Sequence, residues 1–489
     1  MKNKELIRCG VFLVLLALLF QVLTTIYIPK WYGTWQSTRI VDGFYELPKD
    51  RLDVVLLGSS QTIMGLSPME LYRQYGISAY SFGTEEQPLY ATYYWMREIL
   101  RSQKPSVAVL DVNELLHASS EAAYRKAFDY MKWSQVKWEA IKNHCEKEED
   151  STLFSYILPL ANYHSRWDEL EAEDFTYLLS DKTDPCLGFV AASGTCDFPY
   201  EGTPLSKEEE PDPADQEAYD SLLKIIHLCQ EEEISLLLIK TPRAGWNAGK
   251  HNLIADLAQE YGLPFLDFND PKLMEAMNFD YAKDAKDASH LNIYGAEKLG
   301  AWLGNYLTEQ YQLPDRRKDP DYGYLADLLP LYEMQSENAK LSTCMEFSDW
   351  LEHLQERYTI FFAVNGSPSL KQLPQTVLEQ LQGLGMGTDI LISGADYGAV
   401  LQNQGILAWQ AGLGISNFWG TLEDQTSYQL SIVHAGEETI ENICSICVAN
   451  EEYAVQGEGI HLVVYDMETH QVVDAILVYP EDPKLSIHR

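Results

Sequence analysis

The sequence predicts an α/β protein: a parallel sheet covered by helices, followed by a second α+β domain and preceded by one membrane-spanning helix. Three observations predict it. Between about residues 50 and 312, short apolar runs alternate with longer amphipathic ones, the rhythm of buried parallel strands and their crossover helices. Beyond a polar joint at 313–345, a new series of strand-like runs and glycine-punctuated loops begins. At the other end, residues 9–28 are almost uninterruptedly apolar.

Taken in order, the first element is that apolar run. Lys2, Lys4 and Arg8 precede it, and only Gln21, Thr24 and Thr25 break its hydrophobic character. Twenty residues at about 1.5 Å each give about 30 Å, the hydrocarbon thickness of a bilayer. Positive charge before the span predicts a cytoplasmic N-terminus, with the bulk of the chain on the extracellular side. A cleaved signal peptide is the competing reading; the length of the run and the lack of a small-x-small site after it favour an uncleaved anchor over 1–30. No second comparable span follows, which excludes a transporter.

The predicted strands of the first domain, 31–312, are 53–57, 78–82, 106–111, 234–240 and 264–267. Helices are expected at 68–75, about 86–102, 214–230, 250–261 and 294–311, with Pro68 suited to a helix start. An aromatic-rich helical insertion with acidic loops, about 115–212, interrupts the alternation. Cys186 and Cys196 bracket a glycine-containing loop there; a local disulfide and two free thiols are both open readings. The accessory domain, 346–489, is expected to have strands at 358–364, 389–393, 460–466 and 472–478, the last two joined through Met467–His470.

Composition narrows the function without naming it. Among 489 residues, 36 Lys and Arg stand against 73 Asp and Glu, a formal charge of 36 − 73 = −37. Such a surface repels phosphate backbones, so no nucleic-acid partner is expected. The 11 His are scattered without metal-ligand spacing, and no nucleotide-binding glycine loop is present, so no cofactor and no metal are expected. Cys444 and Cys447 have a redox-like gap, but on a strand their side chains would point to opposite faces.

The chemistry-bearing residues fall at strand ends. Gly58-Ser59-Ser60 ends the first predicted strand, where ligands of parallel sheets bind. Asp287-Ala288-Ser289-His290 precedes the last helix of the domain. A serine nucleophile needs a base, and the base needs an acceptor that fixes its tautomer; Ser60, His290 and Asp287 supply that series. Each piece alone is common in turns and helix starts; their chain order and placement against one sheet edge raise the joint reading.

These blocks resemble those of the SGNH, or GDSL-like, hydrolase and acyltransferase superfamily. The resemblance covers about 50–312 and implies a flavodoxin-like three-layer α/β/α sandwich with a Ser-His-Asp triad at Ser60, His290 and Asp287. Ser59 stands where many members carry Asp. Ser81-Phe82-Gly83-Thr84 resembles the block that supplies a backbone donor, so Gly83 is implied as an oxyanion contact. Asn113, in Asp111-Val112-Asn113-Glu114, is the implied side-chain donor, although the family's preceding glycine is absent. The Gly-Ser-Ser form with a single anchor is similar to DltD-like and AlgJ/AlgX-like proteins. That implies a cell-envelope polysaccharide or teichoic acid as partner and a membrane-bound acyl-donor protein as another. Residues 358–366, 457–466 and 471–474 resemble the ILEI/PANDER interleukin-like domain over about 350–480, a non-hydrolytic accessory.

Three further residues are candidate substrate contacts. Arg166 and Trp167 lie in the cluster Tyr163-His164-Ser165-Arg166-Trp167 of the insertion, and Arg243 follows the fourth predicted strand. Each has a structural reading as well, an ion pair on an aromatic shelf or a strand-end cation. Two functions therefore compete: a membrane-anchored extracytoplasmic serine esterase or O-acyltransferase acting on an envelope polymer, and a non-enzymatic glycan-binding or scaffold protein with a degenerate SGNH domain. The distance from Ser60 to His290 discriminates between them.

Overall fold

The computed structural model describes residues 2–31, 36–147, 152–196, 198–365, 373–386, 396–402, 405–412, 415–433 and 442–489. The chain divides into two compact units, Met1–Met334 and Gln335–Arg489. Much of the joint expected at 313–345 is helical: the helix Gly323–Leu341 runs across the boundary and carries Pro330 inside it.

In the first unit, β1 (Val54–Gly58), β2 (Ala79–Gly83), β3 (Val107–Asp111), β4 (Ser235–Lys240) and β5 (Phe265–Asp267) form one sheet in the order β2-β1-β3-β4-β5. Every pairing is parallel. This is the flavodoxin-like order, whose direction of progression reverses between β1 and β3. Each of β1, β2 and β3 is buried along its whole length, which is why they read as mainly apolar runs, with Ser81 inside β2 and Asp111 at the end of β3.

Successive side chains alternate between the two faces. Val54, Leu56, Val107, Val109, Leu237 and Ile239 pack on one side against Leu299, Leu303 and Leu307 of the helix Ile293–Tyr311 and against the helix Pro68–Tyr75. The other face is covered by the helices Leu89–Ile99 and Gln216–Glu231, giving the three-layer sandwich. Each fully buried aliphatic side chain contributes about 1.5–3 kcal/mol relative to exposure. Outside the insertion, four short helices lie where the sequence gives no helix signal: Ser37–Glu46, Ser60–Gly65, Pro271–Ala276 and Tyr281–Asp284.

The N-terminal helix spans Lys2–Tyr27. It is the one helix among the described residues long and apolar enough to cross a membrane, and none of its apolar window is buried. Its last turns meet short helices of the insertion, Leu160–Tyr163 and Ala172–Thr176, and the 3₁₀ turn His164–Asp168. All eight cysteines are free thiols, Cys186 and Cys196 included.

The second unit is built on β6 (Tyr358–Asn365), β7 (Asp396–Gln402), β8 (Gly405–Gly412), β9 (Ile415–Thr421), β10 (Ser427–Val433), β11 (Ile443–Val448), β12 (Glu451–Glu452), β13 (Gly459–Asp466), β14 (Gln471–Val478) and β15 (Ile487–His488). A six-stranded sheet, β15-β14-β13-β6-β7-β8, and a four-stranded sheet, β12-β11-β10-β9, result. Phe361, Ala363, Val463 and Tyr465 meet Leu430, Ile432 and Ile446 of the smaller sheet. Ile360, Phe362, Val364 and Leu462 face the opposite way, among Trp350, Val377 and Leu381 of two helices. The β13–β14 connection falls at Met467–His470 as expected. Cys444 and Cys447 lie three apart on β11, so they do face opposite ways. The strand expected at 389–393 lies outside the described residues.

Candidate active site

The reversal of strand order leaves a crevice beyond the C-terminal ends of β1 and β3. β1 ends at Gly58, and the helix Ser60–Gly65 starts at once, with Ser59 extended at φ −113°. The turn is tight: a Cβ at Gly58 would stand 2.0 Å from Thr62 Oγ1. Ser60 is thereby held at the first position of a helix at the sheet edge, although it is 8% exposed.

Ser60 Oγ lies 2.9 Å from His290 Nε2. His290 Nδ1 lies 2.9 and 3.0 Å from the two Asp287 carboxylate oxygens. A carboxylate accepts only, so Nδ1 carries the proton and Nε2 presents its lone pair to the serine hydroxyl. Asp287 Oδ1 also accepts from the Ser289 and His290 amides at 2.8 and 3.0 Å. Burial pushes the Asp287 carboxyl up, but its bonds from His290 and Ser289 outweigh that and hold it below the usual carboxylate value.

The loop carrying these two residues is pinned from several sides. Ala285 and Leu291 form an antiparallel bridge. The Ala244 amide donates to Ala288 O at 2.9 Å, and Tyr281 Oη donates to Asp287 O at 3.3 Å. Asn292 caps the following helix, accepting from the Tyr294 and Gly295 amides.

Ser60 and His290 open into a cleft of about 390 Å³, lined also by Gln61, Asn113, Glu114, His117 and Arg243. A volume of that size suits a small ligand or one unit of a larger one. Asn113 reaches the cleft, but its Nδ2 donates to Glu114 Oε1 at 2.9 Å and its Oδ1 accepts from Arg243 Nη1 at 2.6 Å. Ser59 Oγ donates to the same Glu114 oxygen at 2.8 Å. Gly83 stands opposite Gly58 in the sheet and is not among the residues lining the cleft. Its backbone fits closely there: a Cβ would meet Gly58 O at 2.6 Å and Ser59 O at 3.0 Å.

Arg166 and Trp167 are not in the cleft. Arg166 Nη1 donates to Tyr27 O at 2.7 Å, and its Nη2 lies 3.4 Å from Asp174 Oδ2. Both residues belong to the 3₁₀ turn beside the end of the apolar helix, and Trp167 is 70% exposed. A helix leaves its last carbonyls without partners, and Arg166 is spent on one of them.

Gln61 and Lys240 went unnoticed in the sequence. Lys240, at the end of β4, is fully buried, and burial pushes its ammonium group below the ordinary lysine value against the pull of Asp111, 3.7 Å away. Lys240 Nζ donates to Gln61 Oε1 and, at 3.0 Å, to Thr241 O. Thr241 Oγ1 donates to Gln61 Oε1 at 3.1 Å. Two donors on one atom identify it as the amide oxygen, so Gln61 Nε2 is turned the other way. Among the described residues no metal-binding group of His, Cys, Asp and Glu occurs. No protein-family model and no curated protein matches this chain.

Proposed function

We propose that this protein is a membrane-anchored serine esterase or O-acyltransferase. The observation that carries the reading is the hydrogen-bonded series Ser60–His290–Asp287, at 2.9 Å for each link, beside a cleft at the sheet edge. Ser60 Oγ attacks the carbonyl carbon of an ester, and His290 Nε2 takes the hydroxyl proton. The resulting oxyanion collapses, the alkoxide leaves with the proton from His290, and Ser60 holds the acyl group. A second hydroxyl, its proton taken by His290, then attacks the acyl carbon and restores Ser60. Water as that acceptor gives hydrolysis; a sugar or polyol hydroxyl gives transfer.

The oxyanion needs donors aimed at it. The Ser60 amide opens a helix and has no partner within that helix. Gln61 Nε2 is the second donor in this reading, because Lys240 and Thr241 hold the oxygen of the same amide. Asn113 is engaged by Glu114 and Arg243 and would have to exchange partners to join them. Arg243 offers substrate a cation at the cleft wall.

The sheet order, the nucleophile position and the single apolar helix suit the SGNH-like reading, and within it the DltD-like and AlgJ/AlgX-like proteins that modify envelope polymers from a membrane anchor. A cell-envelope polysaccharide or teichoic acid is the acceptor class in this reading, a membrane-bound acyl carrier the donor, and the second unit an ILEI/PANDER-like accessory. In this reading the N-terminus is cytoplasmic, and the chain beyond the apolar helix Lys2–Tyr27 is extracellular. Labelling the full chain with a fluorophosphonate tests the reading. Wild type is expected to label and Ser60→Ala not; equal labelling of both rejects Ser60 as the nucleophile and leaves a glycan-binding scaffold as the better account.

A further inference from the structure

We infer that the insertion segment 153–179 is a membrane-seated platform whose exposed apolar side chains enter the headgroup boundary of the bilayer around the anchor helix. This rests on the reading of Lys2–Tyr27 as a membrane span and adds a second, non-spanning contact with lipid.

The apolar run ends at Ile28, and filling about 30 Å of hydrocarbon with it puts Leu23–Tyr27 at the outer boundary. Those same residues are half-buried, and what covers them is the helices Leu160–Tyr163 and Ala172–Thr176 and the turn His164–Asp168. Segments that pack on the final turn of a span stand at the level where the span leaves the lipid.

Polar bonds hold the segments to that turn. Lys30, itself 5% exposed, donates to Thr25 O at 2.7 Å and Ile28 O at 2.8 Å while pairing with Asp174 Oδ1 at 2.9 Å. Arg166 takes Tyr27 O. The end of the helix is thus tied by charge-assisted bonds from two cations that both pair with Asp174, and its height relative to 160–179 is set.

The side chains these segments leave outside are apolar. Trp167, Phe175, Leu178 and Leu179 are exposed, Leu179 to 93%, and Phe154 and Ile157 extend the series on the adjoining helix. Elsewhere on a soluble surface such a group would be an unexplained liability. At a bilayer boundary it is the aromatic and aliphatic composition of an interfacial element. Asp168, Glu169, Glu171 and Glu173 are exposed among them and repel anionic headgroups, so the matching surface is zwitterionic.

The test uses the full chain in phosphatidylcholine nanodiscs doped with a lipid carrying a photoreactive group on its acyl chain. After irradiation, adducts are mapped by peptide mass spectrometry. Adducts are expected on the 4–27 helix and on peptides covering 153–179, and none on the loop 285–291. The triple variant Trp167→Glu, Phe175→Glu, Leu179→Glu is expected to keep the helix adducts and its thermal midpoint, because all three side chains are exposed, while adducts on 153–179 fall at least tenfold. Wild-type adducts on the helix alone overturn the platform and leave the anchor standing. Adducts on neither overturn both.

Discussion

Gln61 shows how a residue acquires a role from groups far away in the chain. Its amide oxygen faces Lys240 Nζ and Thr241 Oγ1, both donors, and that leaves its nitrogen for the cleft. In the proposed esterase reaction, removing one oxyanion donor costs about 10²–10³ in kcat, so under that proposal Gln61→Ala is expected to lose that much in p-nitrophenyl acetate hydrolysis. Gln61→Glu keeps two acceptor oxygens for Lys240 and Thr241 but substitutes repulsion for donation. It should lose at least as much, with KM changed less than kcat; retention of the wild-type rate by Gln61→Glu would reject donation. Ser60, His290 and Asp287 stand out in the sequence because each lies at a strand or helix end, Ser60 opening a helix and the other two preceding one. Gln61 does not, because the lysine that orients it is 179 residues away.

At the scale of elements, the position of His290 depends on the cap, two residues after it, of the helix Ile293–Tyr311. Asn292 accepts from the Tyr294 amide at 3.0 Å and the Gly295 amide at 3.2 Å and donates to Gly194 O and Lys283 O at 2.9 and 2.6 Å. Loss of a helix cap costs about 1 kcal/mol, and carbonyls left without partners add to it. Asn292→Ala is therefore expected to lower unfolding stability by about 2 kcal/mol in urea titration and to reduce turnover, since the loop holding Asp287 and His290 loses its anchor. The parallel strands were legible to within a residue because the burial of most of their residues makes them mainly apolar runs. The strands Gly405–Gly412 and Ile415–Thr421 were not: Trp409 and Trp419 point to solvent, so apolar residues there no longer mark the buried face.

For the molecule as a whole, the excess of acidic side chains makes low pH the natural stress. Asp466, at the end of β13 in the second unit, is buried, which pushes its carboxyl up. Bonds from Asn338, the Glu468 amide and Arg357 outweigh this and hold it below the ordinary value. A carboxyl depressed in the folded state stabilises above its unfolded pKa, and that contribution is lost as pH falls through the folded value. Thermal unfolding of the full chain between pH 7 and pH 2 should show an acid limb to which Asp466 contributes. Asp466→Asn is expected to be less stable at pH 7 and to have a shallower limb; an unchanged slope would remove Asp466 from the account. The strand and loop pattern of the sequence changes across 313–345, and the division between the units falls at Met334 and Gln335. The helix across the boundary was not legible, because 313–345 begins with the prolines and charges of a linker.

What the sequence determined by itself was local in origin: the apolar helix, the buried parallel strands, and a serine and an Asp-x-x-His at element ends. Each follows from hydropathy period or turn chemistry within a few residues. The tertiary structure alone decided the rest. It joined Ser60 to His290 across 230 positions and turned Gln61 by means of Lys240. It also placed Arg166 and Trp167 outside the cleft, at the end of the N-terminal apolar helix. These outcomes depend on which distant donor reaches which acceptor, and that is set only when the sheet order brings separate strand ends to one edge.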